Sequence, residues 1–136
     1  SEALLSQPNN TKSRLKIWKQ NSKIVDENYV YNEKVQTITT KQDRHPNSGN
    51  IYFDYELNTK SKFRFLTPRE CFLLMGFDEK DYECLVKNNF VMPNKSWFFS
   101  RDVLYKLAGN SIVVDVLEQV FNQILDIDEM LNNYNK

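Results

Sequence analysis

Cys71, Cys84 and His45 are the residues from which a chain of 136 residues would most readily assemble a nucleophile or a zinc site. A working thiol must be held as thiolate by a cationic neighbour, a histidine or a metal. Cys71 sits instead inside "RFLTPRECFLLMGF", residues 64 to 77, directly after Glu70, whose charge raises a thiol pKa. Neither cysteine belongs to a CxxC pair, and a single histidine offers no cluster for zinc. No metal site is expected. Cys71 is expected to pack, not to react.

The punctuation around Cys71 describes an element. Thr67 suits an N-cap, Pro68 a first helical position, and Glu70 completes a Thr-x-x-Glu capping box. Gly76 suits the left-handed conformation that ends a helix. Cys71, Leu74 and Met75 fall on one face at helical spacing. "EKDYECLVKN" predicts another short helix, followed by the aromatic-rich loop "NFVMPNKSWFF". Ser100 with Arg101 and Asp102 opens a helix ending at Gly109, with Leu104 and Leu107 inward. Ile112, Val113, Val116, Leu117, Val120, Phe121, Ile124 and Leu125 then recur at three and four, an amphipathic helix capped by Asn110. That face needs cover, either from "CFLLM" or from a second copy of the chain.

Upstream the pattern is different. Residues 1 to 12 are polar and read as a loose lead-in, and "SRLKIWKQNSKIV" shows no clear period. "NYVYNEKVQTITT" is rich in β-branched and aromatic residues and predicts a strand. "KQDRHPNSGN" is a loop, then "IYFDYEL" and "KFRFL" alternate as two more strands around Asn58-Thr59-Lys60-Ser61. The expected class is α+β. A β-rich part spans residues 1–66 and a helical part residues 67–136.

An apolar content of 40% permits a core, and the negative mean hydropathy makes it a thin one. No run approaches the roughly 18 apolar residues of a membrane span, and no signal peptide pattern opens the chain. With unpaired cysteines, a reducing, cytoplasmic setting is expected. Formal net charge is zero but unevenly spread: residues 1–69 carry 12 Lys and Arg against 7 Asp and Glu, the rest 6 against 11. The two parts therefore suit different partners.

Taken together, three segments resemble the C-terminal portion of the cytosine-C5 DNA methyltransferases. "RFLTPRECFLLMGF" is similar to that family's ninth motif, "YKLAGNSIVVDVLEQVF" (105–121) to its tenth, and "TITTKQDRHPNSG" (37–49) to the end of its target-recognition region. The resemblance covers roughly residues 35 to 125. It implies that the last helix packs back on a Rossmann-like catalytic domain and that Gly109, Asn110 and Ser111 lie beside the methionine end of S-adenosylmethionine. A helix N-terminus there would offer free N–H groups to a carboxylate. It also implies double-stranded DNA as partner. Thr37, Thr39 and Thr40 offer hydroxyls to phosphates, Lys41 and Arg44 supply charge, Gln42 and Arg44 suit base edges, and Ser48-Gly49 allows close backbone approach.

The family's chemistry needs parts this sequence lacks. A Pro-Cys thiolate attacks C6 of a flipped-out cytosine, and the Glu of Glu-Asn-Val holds the ring. Here neither cysteine follows a proline, Glu-Asn-Val is absent, and Gly49, Gly76 and Gly109 cannot form Phe-x-Gly-x-Gly. No catalytic residue is therefore assigned within the chain. The resemblance implies the C-terminal part of a DNA (cytosine-5-)-methyltransferase, inactive alone, whose partner is an N-terminal catalytic part or a second subunit. The opening Ser-Glu, with no initiator methionine, favours a piece of a longer protein. The Asn-, Lys- and Ile-rich composition fits an AT-rich microbial genome, and the resemblance implies a bacterial restriction-modification setting. The alternative is a stand-alone DNA- or protein-binding module on the same fold.

Overall fold

The computed structural model describes residues 1–55 and 59–134. In chain order these form α1 (Glu2–Leu5), α2 (Lys12–Gln20), β1 (Lys23–Val25), β2 (Asn50–Tyr52), β3 (Phe63–Phe65), α3 (Pro68–Leu74), α4 (Glu79–Lys87), α5 (Arg101–Asn110) and α6 (Val114–Tyr134). The class is mixed, as expected, but the first part carries less strand than its composition suggests. One sheet runs β1-β2-β3, with β1 and β2 parallel and β2 and β3 antiparallel, pairing Asn50 with Phe65 and Tyr52 with Phe63.

The strand expected over residues 28–40 does not form. Only a single bridge, Val25 to Tyr31, marks it, and Tyr29 has a positive φ of 59°. β-branched residues favour a pleated, half-buried surface, and no neighbouring strand supplies one here. The second expected strand stops at Tyr52, and its last residues, Glu56 and Leu57, lie outside the described residues with Asn58 of the turn. The unassigned segment after residue 12 becomes α2 and β1. The lead-in is tied down rather than loose. Gln7 is buried and its amide donates to the Ser61 and Phe53 carbonyls (2.8 and 3.2 Å), while Phe65 N–H donates to the Ser6 carbonyl.

Downstream the local signals hold better. Thr67 Oγ1 accepts from Glu70 N–H (3.1 Å) and Glu70 Oε2 from Thr67 N–H (2.7 Å), so the capping box is complete. Positions 68, 71, 72 and 75 turn inward, an i, i+3, i+4, i+7 stripe. Leu74 falls off that stripe and is exposed, and Phe72 is buried in its place. In α5, Ser100 Oγ accepts from Val103 N–H, and Leu104 points in. Leu107 is exposed, whereas Tyr105 and Ala108 are buried.

The main core joins Leu66, Cys71, Phe72, Met75, Tyr82, Leu104, Tyr105 and Ala108, and Ile38 of the long loop packs into it. A smaller cluster sets Trp18 of α2 against Phe63 and Phe65, with ring centroids 5.8 and 4.8 Å away. α6 stands apart from both. None of its residues is buried, and Val116, Val120, Phe121, Ile124 and Leu125 are all about half exposed or more. The "CFLLM" cover did not materialise beyond the start of the helix, where Val114 N–H donates to the Met75 carbonyl and Val113 meets the core.

Candidate nucleic-acid interface

The loop from Thr37 to Asn50 has no ladder to satisfy its backbone, so buried side chains do it instead. Gln42 is 1% exposed; its amide N–H donates to Ser48 Oγ (2.8 Å) and the Thr39 carbonyl (3.1 Å), and its oxygen accepts from Ser48 N–H (3.2 Å). Ser48 Oγ donates to the Thr37 carbonyl (3.1 Å). Asn47, also buried, donates to the Gln42 carbonyl (2.9 Å), and its N–H donates to Asn21 Oδ1 (3.0 Å). Gly49 is buried with φ +131°, and a Cβ there would sit 2.6 Å from Ile24 Cγ1. Gln42, Ser48 and Gly49 thus form the inside of the loop. Thr37, Lys41 and Arg44 remain on its outside, with Thr39 and Thr40 half-buried.

The Thr40–Arg44 part of the loop borders a cleft of about 540 Å³, walled also by the Leu5–Asn9 stretch, α2 and α5. Arg14, Lys41, Arg44, Lys60, Arg101 and Lys106 line it, against the two carboxylates Asp43 and Asp102. Two of the six are structural as well as charged. Arg14 donates to the Asp43 carbonyl and braces the loop. Arg101 donates to the Leu5 carbonyl, to Ser6 Oγ (3.0 Å) and to Tyr105 Oη (3.0 Å). Among the described residues Lys41 and Lys106 make no ion pair. A concave, mostly cationic wall concentrates field and attracts a polyanion.

Sequence reasoning placed Thr40, Lys41, Gln42 and Arg44 here and missed Arg14, Lys60, Arg101 and Lys106. The basic excess of the first part hinted at Arg14 and Lys60. Nothing hinted at Arg101 and Lys106, which come from the acidic part.

A second cleft, about 330 Å³, lies between Val35–Ile38, Leu74–Met75 and the Gly109–Val113 turn. Gly109 and Ser111 line it, while Asn110 is exposed. Asn110 is the last residue of α5 and not the cap of α6, which begins four residues later. The expected helix N-terminus at Gly109–Ser111 is therefore absent, and the Val114 amide is already bonded to Met75. Gly109 has another duty. A Cβ on it would lie 2.5 Å from Thr40 N and 2.6 Å from Thr39 C, so only glycine lets the loop backbone cross α5. At that crossing Thr40 lines the first cleft and Gly109 the second.

Behind the cleft, the buried charge of Arg64 is matched by a carboxylate. Arg64 forks onto both Glu70 oxygens (2.8 and 2.7 Å). Burial would raise the Glu70 pKa, but the hydrogen bonds from Arg64 and Thr67 outweigh it and hold it below the ordinary 4.5. Cys71 is fully buried, and desolvation, with Glu70 adding to it, pushes its thiol up to about 12. Its expected inertness stands. Burial likewise raises Tyr105, whose hydroxyl donates to the Leu66 carbonyl (2.5 Å). Among the described residues no group of three His, Cys, Asp or Glu can hold a metal, and no helix is long and apolar enough to cross a membrane.

Comparison with known proteins adds an independent line. The profile of the C-5 cytosine-specific DNA methylases matches residues 2–126. An orphan methyltransferase of Bacillus phage rho11s is 42% identical over 66 residues, covering 48% of this chain and 11% of its own length. A type II methyltransferase of Lactococcus lactis subsp. cremoris is 33% identical over 100 residues, 74% of this chain and 24% of its own. A type II methyltransferase of Bacillus sp. (strain RFL6) is 37% identical over 68 residues, 50% and 18%. The chain thus spans between a tenth and a quarter of the length of these relatives. No solved structure matches it.

Proposed function

The chain belongs to the C-5 cytosine-specific DNA methylase family, and from that membership we propose that it supplies DNA recognition and one wall of the cofactor pocket to a methyltransferase acting on cytosine in DNA. The observation that carries this reading is the cationic cleft. Lys41, Arg44, Lys60 and Lys106 neutralise phosphates along one duplex, with Thr40 adding a hydroxyl contact, whereas the Thr39 hydroxyl is spent on the Lys41 carbonyl (2.8 Å) and Thr37 lines the second cleft. Gln42, Ser48 and Gly49 act from inside, keeping the loop in the shape that presents Lys41 and Arg44. Arg44, exposed and held only by a 3.4 Å contact to Asp43 Oδ1, is the side chain placed to turn towards a base edge.

The second cleft is where the cofactor fits. Its apolar lining (Val35, Ile38, Met75, Val113) and the Ser111 hydroxyl make one wall of a site, and at about 330 Å³ it stands near the lower end of small-molecule pockets. S-adenosylmethionine, when bound, supplies the methyl group. Gly109 and Ser111, with Asn110 between them, would form the turn at the edge of that wall and would help to hold the cofactor. The nucleophile comes from elsewhere: Cys71 is buried and protonated, and Cys84 follows a glutamate, not a proline. α6 carries the apolar face that the rest of the enzyme covers. The relatives named as type II methyltransferases support a restriction-modification setting for this activity.

The test is reconstitution. The chain is mixed with a polypeptide carrying the remaining family motifs, and transfer of labelled methyl groups to duplex DNA is followed. Neither part alone should be active and the mixture should be. Salt-dependent duplex binding by this chain, with no transfer at any ratio, would instead identify a stand-alone binding module.

A further inference from the structure

The hairpin between α4 and α5 has no role in the reading above. Asn89 clamps its base, donating to the Phe99 carbonyl (3.1 Å) and accepting from Phe99 N–H (2.9 Å). Val91 bridges Trp97, and Met92 N–H donates to the Ser96 carbonyl (2.8 Å). On this frame Phe90 and Phe98 stack at 4.8 Å and 15°, and Phe98 meets Phe99 edge-on. Phe90, Val91 and Trp97 are each more than half exposed. Apolar rings held this firmly in water are prepared for a partner, since little ordering is left to be done on binding.

Charge says which partner. From Cys84 to Ser100 the chain carries two lysines and no carboxylate; Lys87 pairs back to Glu83 (3.3 Å), and Lys95 makes no ion pair among the described residues, whereas α6, the other exposed apolar surface, carries five carboxylates and no cation. A polyanion suits the first and not the second. The groove at the hairpin, about 560 Å³, is lined by Val86, Asn89, Lys95, Trp97, Phe99 and Arg101. Arg101 also lines the cationic cleft, so the two surfaces are continuous.

We infer that this hairpin is a stacking platform for an unpaired nucleobase, receiving a DNA strand that leaves the cationic cleft past Arg101. Every base has a π-face, so such stacking is independent of sequence, and Lys95 and Arg101 hold the adjoining phosphates. The inference rests on the cleft binding DNA, and its test separates the two. The chain is titrated with a blunt duplex and with the same duplex bearing a short oligo-dT overhang, following DNA anisotropy and tryptophan emission. Trp18 is buried and Trp97 exposed, so quenching reports on the hairpin.

The overhang should tighten binding about 5- to 150-fold and quench emission. Trp97→Ala should lose the gain, while Trp97→Phe should keep the affinity and lose the quench. The native chain's own quench needs no variant to fold. Equal affinity for both DNAs with unquenched emission overturns the inference and leaves duplex binding intact. Emission that changes with chain concentration in the absence of DNA makes a second copy the occupant, and overturns it too. Failure to bind either DNA removes the cleft and the platform together.

Discussion

Cys71 and Glu70 are neighbours in sequence with opposite electrostatic circumstances. The thiol belongs to the same buried core as Leu66, Leu104 and Ala108 and is pushed up to about 12, so at neutral pH it stays protonated. Native-state alkylation should therefore modify Cys84 alone, and Cys71 only after unfolding, which mass spectrometry can read. Two modified cysteines in the folded chain would contradict the packing role. Glu70 is held below its ordinary 4.5 because its ionised form is the one that Arg64 and the Thr67 amide bind. A depressed folded pKa contributes stability that is present above the unfolded value and is lost as pH falls through the folded one. Glu70→Gln should be less stable than the native chain at neutral pH, and the difference should shrink as pH drops below about 4. Denaturant midpoints across pH would show it.

Elements in this chain succeed or fail according to what lies beside them. α5 must let the Thr39–Thr40 backbone cross at Gly109, so Gly109→Ala forces a methyl group against peptide atoms at 2.5 Å. The expected cost is about 1–3 kcal/mol, seen as a lower unfolding midpoint, and the displaced loop should weaken DNA binding as well. α6 is the reverse case. Its side chains touch little, so Phe121→Asp should change the stability of the isolated chain by no more than about 0.5 kcal/mol. The same variant should abolish reconstitution of methyl transfer, because a carboxylate would then face the apolar cover proposed for that helix. A large loss of stability in the isolated chain would mean that α6 packs on its own fold.

At the scale of the whole molecule, the zero net charge hides a divided surface. The cleft gathers six cations from four separated stretches of chain, while the long terminal helix is wholly acidic among its charged residues. Duplex affinity should fall linearly on a log–log plot against salt, and Lys41→Ala or Lys106→Ala should each reduce the slope by about 1. Lys106 is the sharper probe, since it lies in the acidic part and joins the cleft only through the fold. A slope unchanged in Lys106→Ala would place the DNA elsewhere.

What the sequence determined by itself was local and short-ranged: the capping box at Thr67, the inert thiol, the start of α5, the existence of the terminal amphipathic helix, and enough ordered motifs to point to the family. Each depends on residues within about four positions of one another, where helical geometry alone dictates the neighbours. The tertiary structure decided which polar residues face inward. Gln42 and Ser48 read as surface chemistry, yet an irregular loop must bond its own amides, and they are spent there. It also decided that a threonine-rich segment stays unpaired, that Asn110 ends one helix without starting the next, and that Arg14, Lys60, Arg101 and Lys106 share one cleft with Lys41. Those outcomes depend on approaches between segments far apart in the chain, and no local periodicity carries that information.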